Sequence, residues 1–307
     1  MPESPVIHVE ALRKTYGRTV AVDGVGFAVQ PGEIFGLIGP NGAGKTTTLE
    51  CVEGLRRPDG GHIRVLGLDP ARDGRALQQR IGVQLQEAQL QKRITVREAV
   101  GLWIALYRSA VDGDRLIDQL GLSEKRDAWF MTLSGGQKQR LLIALALANE
   151  PEVVFLDELT TGLDPQARRA IWELVRAVRA RGATVVLTTH LMEEAERLCD
   201  RVAIVDHGRV VDLGTPAALV GRHCPETTLV VAVDDAAAAA RFAALAEVES
   251  VQAADDGACT IRGRSAAVVA AVIACIAEHR MPVRRFQTQV PTLEDVFLHL
   301  TGHAIRD

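Results

Sequence analysis

Three short stretches of this 307-residue chain combine residue types that handle phosphate. Gly39 to Thr46 reads GPNGAGKT, the pattern G-x-x-x-x-G-K-[ST], between a strand-like run and a helical one, which is the context this motif needs. The stretch is Gly39, Pro40, Asn41, Gly42, Ala43, Gly44, Lys45 and Thr46, with Thr47 next in line. Glycines let backbone N–H groups curl around phosphate oxygens, Lys45 neutralises β/γ charge, and the Thr46 hydroxyl can ligate Mg²⁺. VVFLDE, Val153 to Glu158, ends an apolar run with two carboxylates. Asp157 can hold Mg²⁺ through water, while Glu158 can orient and deprotonate an attacking water. The third stretch, LSGGQKQR from Leu133, sets Ser134, Gly135, Gly136 and Gln137 at the start of a helical pattern. Small residues there make a second anion cradle, because free N–H groups and the positive dipole end point outward together. One triphosphate has no need of two cradles in one chain. The plainer alternatives are tight packing for the glycines and a solvated strand end for the acids, and the complete motif in its context weighs against both.

The elements that must position these residues follow from punctuation and periodicity. Ile34 to Ile38, Val153 to Leu156, Thr184 to Leu187 and Val202 to Val205 are short, continuous apolar runs, which suit strands buried on both faces of a mostly parallel sheet. Gln137 to Asn149 and Pro165 to Arg179 carry apolar residues at helical spacing, giving the alternation of an α/β domain. Val6 to Val29, with alternation and turn glycines, fits an antiparallel edge. In an open α/β sheet ligands gather at the carboxyl ends of the strands, so the loop at Gly39 and the acids at Asp157 and Glu158 arrive together.

After about Gly221 the order becomes strand (Thr228 to Val233), helix (Asp235 to Glu247), strand (Val248 to Ala253), strand (Ala258 to Arg262), helix (Ser265 to His279), strand (Pro282 to Gln289). That is the β-α-β-β-α-β order of a ferredoxin-like unit, closed by a helix at Thr292 to Leu300. The alternative is a helical tail, since Ala236 to Ala240 is five alanines. Residues 1–221 and 222–307 are thus expected to form two domains.

Charged residues at 24%, hydrophobic ones at 47% and a formal net charge of -4 describe a soluble globular protein without general attraction to nucleic acid. Five scattered cysteines, with no C-x-x-C pair, fit a reduced compartment and no zinc site. The N-terminal stretch lacks the apolar region of a signal peptide, and the longest apolar run, Ala266 to Ala277, is about half a membrane span.

A GTPase would carry an N-K-x-D guanine reader, which is absent, and a small P-loop kinase gives no reason for LSGGQ. LSGGQ together with GPNGAGKT and VVFLDE resembles the ATP-binding cassette of ABC transporters, over about residues 6 to 220. The resemblance implies that two cassettes pair head to tail, so that Ser134, Gly135 and Gly136 of one protomer cap the γ-phosphate of ATP held by Gly39 to Thr47 of the other. It implies a helical subdomain at about residues 87 to 134. It also matches Tyr16, in KTYG, to the aromatic that stacks on adenine, and Gln86 to the glutamine that contacts Mg²⁺ and water and senses the membrane partner. Gln84 competes with Gln86 on composition. Asp164, in TGLDP, matches the loop that touches the opposite protomer and is also a natural helix N-cap before Pro165. His190, closing TVVLTTH, matches the histidine that reaches γ-phosphate and the water near Glu158. Leu159 departs from the pattern, because many cassettes have proline directly after the catalytic glutamate. The missing constraint, worth about 0.4–1 kcal/mol, leaves the Thr160 to Asp164 loop expected to be less rigid.

What the ATP drives is read from the attachments. Val96, Val100, Trp103, Ile104 and Tyr107 fall at helical spacing, either as the groove that receives a cytoplasmic helix of a membrane partner or as the core of their own subdomain. VPTLEDVFLHLTG, Val290 to Gly302, resembles the close of drug-export and related ABC-2-type cassettes. The expected role is an exporter ATPase on the cytoplasmic face of the cell membrane, paired with an ABC-2-type membrane-spanning permease subunit and a second cassette, as a homodimer. The alternative is a soluble cassette serving translation or DNA repair. Such proteins usually have two cassettes in one chain, a long coiled-coil insertion or zinc cysteines, none of which is present. A non-catalytic switch is disfavoured by intact Lys45, Asp157, Glu158 and His190.

Overall fold

The computed structural model describes residues 4–84, 90–108, 111–224, 226–235, 237–254, 257–289 and 291–302. The chain divides into two compact units, one running to Pro216 and the next beginning at Ala217.

The first unit opens with a hairpin of β1 (Ile7–Tyr16) and β2 (Thr19–Val29), turning at Gly17, whose φ is +58°. Next come β3 (Ile34–Ile38), α1 (Lys45–Val52) and β4 (Gly60–Val65), and β4 returns to the free edge of β1. The alternating N-terminal segment thus forms a separate antiparallel sheet of order β2-β1-β4. Its buried face, with Val22, Val25 and Phe27, shares one core with Phe35, Leu37 and Phe155 of the central sheet. The rings of Phe27 and Phe35 stack at 5.3 Å. Burying a side chain of this size contributes about 1.5–3 kcal/mol.

The central sheet adds β5 (Ile81–Gln84), β6 (Val153–Asp157), β7 (Thr184–Thr189), β8 (Arg201–Asp206) and β9 (Arg209–Gly214), in the order β5-β6-β7-β3-β8-β9. All pairs are parallel except β8 with β9. Every residue of β3, β6 and β7 is buried, which is why these strands read as unbroken apolar runs. Helices α2 (Gly74–Gln78), α6 (Pro165–Ala180) and α7 (Met192–Leu198) complete the α/β body.

Between β5 and β6 lie α3 (Val96–Ile104), α4 (Gly113–Gln119) and α5 (Gly135–Ala146), each starting at a side-chain cap from Thr95, Asp112 and Ser134. Val96 and Val100 are fully buried, and a Cβ added at Gly113 would lie 3.1 Å from Ile104 and 3.3 Å from Val100. Val96 and Val100 of the stripe are therefore core of their own subdomain against α4, while Trp103, Ile104 and Tyr107 are half-buried. Leu102 and Leu106, off this stripe, are exposed, as are Trp129 and Met131.

The second unit begins one residue into α8 (Pro216–His223). Gly221, read from sequence as the domain boundary, sits inside this helix, and Pro216 at its first position marks the change. Then follow β10 (Thr227–Val233), α9 (Ala238–Ala243), β11 (Ser250–Ala253), β12 (Ala258–Gly263), α10 (Ala267–Glu278), β13 (Val283–Gln289) and α11 (Leu293–Thr301). The strands form one antiparallel sheet of order β11-β12-β10-β13, the ferredoxin-like arrangement, over a core of Leu229, Val231, Phe242, Ile261, Val268 and Val272. Helix α9, Ala238–Ala243, is shorter at both ends than the Asp235 to Glu247 read from the sequence. Asp235 accepts a hydrogen bond from the Ala237 N–H, an Asx-type turn that competes with helix at the start. Among the described residues no helix is long and apolar enough to cross a membrane.

Candidate active site

Central strand β3 delivers the chain at Ile38 into the loop that leads to α1. Two glycines make this turn possible. A Cβ at Gly39 would lie 2.1 Å from the Val205 carbonyl oxygen, and one at Gly44, φ +98°, 2.3 Å from that of Ala21. Only glycine fits so close to neighbouring backbone. Helix α1 therefore starts at Lys45, with Thr46 and Thr47 in its first turn. Lys45 Nζ donates to the carbonyls of Gly39 and Pro40, both at 2.8 Å. Burial pulls its pKa below the usual lysine value, while the charges of Glu158 and Asp157 act in the opposite sense.

Two strands away, β6 ends at Asp157. This carboxylate accepts a short hydrogen bond from Thr188 Oγ1 and a longer one, 3.4 Å, from Thr46 Oγ1. Burial pushes its pKa above the normal aspartate value, the hydroxyls of Thr188 and Thr46 hold it down, and the charge of Glu158 adds to the rise. The next residue, Glu158, has φ +46°, and its N–H donates to Thr188 Oγ1 at 3.0 Å and to the Thr188 carbonyl at 3.2 Å. Its Oε1 lies 3.7 Å from Nδ1 of His190, which follows β7. His190 Nδ1 is buried without a hydrogen-bond partner. Lys45, Thr46, Asp157, Glu158 and His190 thus converge at the carboxyl ends of the adjacent strands β3, β7 and β6.

The hard oxygen donors Thr46 Oγ1 and Asp157 Oδ1 suit a Mg²⁺ ion, which would supply charge neutralisation on the β- and γ-phosphate oxygens. Among the described residues, no group of three His, Cys, Asp or Glu side chains is placed to hold a metal by itself. The donor set therefore fits an ion that shares its coordination with phosphate and water.

The second cradle lies elsewhere on the same unit. Ser134 caps α5 and forms a reciprocal pair with Gln137, and Asp164 caps α6 by accepting from the N–H groups of Gln166 and Ala167. Ser134, Gly135, Gly136, Gln137, Leu163 and Asp164 line one cavity of about 500 Å³, and none of residues 39–47 reaches it. A Cβ at Gly136 would stand 3.2 Å from that of Ala167, so small residues let α5 and α6 approach here. Tyr16 ends β1 with its ring 40% exposed, flanked by Lys14 and Arg56 at 5.7 and 5.2 Å. No hydrogen bond or ring contact among the described residues ties it to residues 39–46. Gln86 lies outside the described residues, and its competitor Gln84 is buried at the end of β5.

Sequence reading missed Thr188, one of three threonines in the strand TVVLTT, where nothing local sets it apart from Thr184 and Thr189. It also missed Glu53, an acid at the end of α1 whose burial pushes its pKa to about 8, with the charges of Asp157 and Glu50 adding to the rise.

A phosphate loop between a central strand and its helix, with carboxylates at neighbouring strand ends, defines a P-loop nucleotide hydrolase. Comparison with known proteins narrows the class. The family model described as "ABC transporter" matches residues 22–161. The chain is 40% identical over 311 residues to the Nod factor export ATP-binding protein I of Ralstonia nicotianae, covering 99% of this chain and 96% of that protein. It is 40% identical over 324 residues to the protein of the same name from Paraburkholderia xenovorans, across the full length of both. Among solved structures, an ATP-binding subunit of an ABC transporter superposes with TM-score 0.64 at 30% identity, over 71% of this chain and 92% of that one. A dimeric ATP-binding cassette bound to ADP and Pi superposes with TM-score 0.62 at 28% identity, over 68% and 98%. The chain belongs to the ABC transporter ATP-binding proteins, as an ATP-hydrolysing subunit.

Proposed function

We propose that two copies of this chain sandwich ATP head to tail and power export through a separate ABC-2-type permease subunit, at the cytoplasmic face of the membrane. The observation that carries this reading is the separation of the two cradles. The loop at 39–47 and the cavity at Ser134 are both formed, yet they share no lining residue, so a second copy is needed to bring them together. Export is inferred from the two relatives named as export proteins, whose similarity extends through the second unit. The same full-length similarity weighs against a soluble cassette of translation or DNA repair.

In the proposed reaction Lys45 leaves the Gly39 and Pro40 carbonyls for the β/γ-phosphate oxygens, and Tyr16 offers its exposed ring face to adenine. Thr46 and Asp157 would hold Mg²⁺, which would neutralise charge on the phosphate oxygens. Glu158 takes a proton from water as its oxygen bonds to the γ-phosphorus, the bond from that phosphorus to the bridging oxygen breaks, and ADP leaves. His190, 3.7 Å from Glu158, hydrogen-bonds γ-phosphate.

Glu158→Gln tests the assignment, because the amide still orients water but cannot take its proton. It is expected to bind ATP as the wild type does, to accumulate as an ATP-loaded dimer on size exclusion, and to lose about 10²–10⁴ in turnover. Turnover near the wild-type rate would remove Glu158 from the role.

A further inference from the structure

Glu158 occupies a backbone region that costs a non-glycine residue about 1–3 kcal/mol and that persists only when its surroundings over-determine it. On one side the restraint is visible, since its N–H is held by Thr188. On the other side no proline fixes the chain, because Leu159 follows. The restraint there comes from the core. Leu159 and Thr160 are each 1% exposed, and Thr160 Oγ1 donates to Glu194 Oε1 at 2.7 Å. The same oxygen accepts from Trp172 Nε1 at 2.9 Å. Three elements therefore meet at one atom: the loop that follows Glu158, helix α6, whose cap is Asp164, and helix α7, which starts two residues after His190.

Glu194 is itself 1% exposed, and both of these donors are neutral. A buried carboxyl satisfied this way is a poor source of stability, because an apolar side chain would pack there without the cost of desolvation. What it supplies is direction: Thr160, on the loop after Glu158, and Trp172, on α6, are fixed to one point. The loop expected from Leu159 to be slack is anchored by this means.

We propose that Glu194 is a positioning residue for ATP hydrolysis, acting through Thr160 and Trp172 to hold Glu158 at its working distance from His190. The assignment rests on Glu158 as the base. Glu194 touches no substrate, so its removal should lower kcat and leave ATP affinity alone.

The test uses the full chain and compares kcat, KM for ATP and ATP affinity across variants. Thr160→Val removes the donor with little change of shape and is expected to lower kcat about tenfold, inside the hundredfold that a 1 Å displacement can cost, with KM unchanged. Thr160→Ser restores the hydroxyl, and Glu194→Gln keeps the accepting Oε1, so both should stay within about twofold of wild type. Trp172→Phe leaves the Thr160 contact in place and gives a second reading, a smaller loss in kcat alone. In a Glu158→Gln background, single-turnover hydrolysis should not fall further when Thr160→Val is added. Wild-type kcat in both Thr160→Val and Trp172→Phe would overturn the proposal. So would loss of ATP affinity in parallel with kcat, or a further fall in the Glu158→Gln background. Near-wild-type turnover of Glu158→Gln alone would instead overturn the base assignment.

Discussion

Glu158 Oε1 and His190 Nδ1 stand 3.7 Å apart, at the ends of neighbouring parallel strands, with both side chains about nine-tenths buried. Neither strand brings the other's residue in by sequence proximity. The pair exists because β6 and β7 lie side by side in register, Asp157 opposite Thr188, so that the residue after each strand emerges at the same edge. Thr188 then bonds both residues of the acidic pair, Asp157 through its hydroxyl hydrogen and Glu158 through its oxygens. The hydroxyl thereby couples the Asp157 carboxylate to the backbone of Glu158.

Replacing Thr188 with valine keeps the β-branched shape and removes that coupling. The hydroxyl favours the charged form of Asp157, so without it the carboxyl pKa, already raised by burial, rises further. Mg²⁺ binding needs the carboxylate. Thr188→Val is therefore expected to weaken Mg²⁺ affinity, and more so at about pH 6 than at about pH 8, because the lower pH favours the protonated carboxyl. Titrating Mg²⁺ with ATP present at the two pH values checks this. An equal loss at both would show that the hydroxyl acts on geometry alone.

Glu53 gives a stability prediction that is independent of catalysis. Its pKa rises from 4.5 to about 8 on folding, so between those values the folded chain holds a proton that the unfolded chain releases. Stability is greatest below the lower value and falls as pH rises toward the upper one, by up to about 1.4 kcal/mol per pH unit from this group. Glu53→Gln removes the titration. Its stability relative to wild type should increase steadily from about pH 5 to about pH 8 in denaturant melts, and a pH-independent difference would contradict the buried, neutral state of Glu53.

The parts of this site that were legible in the sequence are those whose signal is local. GPNGAGKT shows because a Cβ added at Gly39 or Gly44 would come within 2.3 Å of neighbouring backbone, and β3, β6 and β7 show because strands buried on both faces lose their alternation. Ser134 and Asp164 show because caps are read within four residues. The network around Glu194 did not show. Its partner Thr160 lies 34 residues away, and a glutamate in the first turn of a short helix looks like an ordinary favourable charge near a helix N-terminus. The stripe on α3 was ambiguous for the same reason, since periodicity identifies the apolar face but not what covers it. The start of α9 differs from the sequence reading because a single Asp235 side chain, bonding the backbone ahead of it, competes with five alanines.

The central claim is that one ATP needs two chains, because the cradle at Gly39 to Thr47 and the cradle at Ser134 to Gln137 are built apart. Steady-state ATPase activity measured against protein concentration, with the molar mass followed by light scattering in the same samples, tests it most directly. Activity per molecule is expected to fall by mass action as the dimer dissociates, in step with the measured mass. Constant activity per molecule in protein that stays monomeric throughout turnover would contradict the shared site and leave the second cradle without a task.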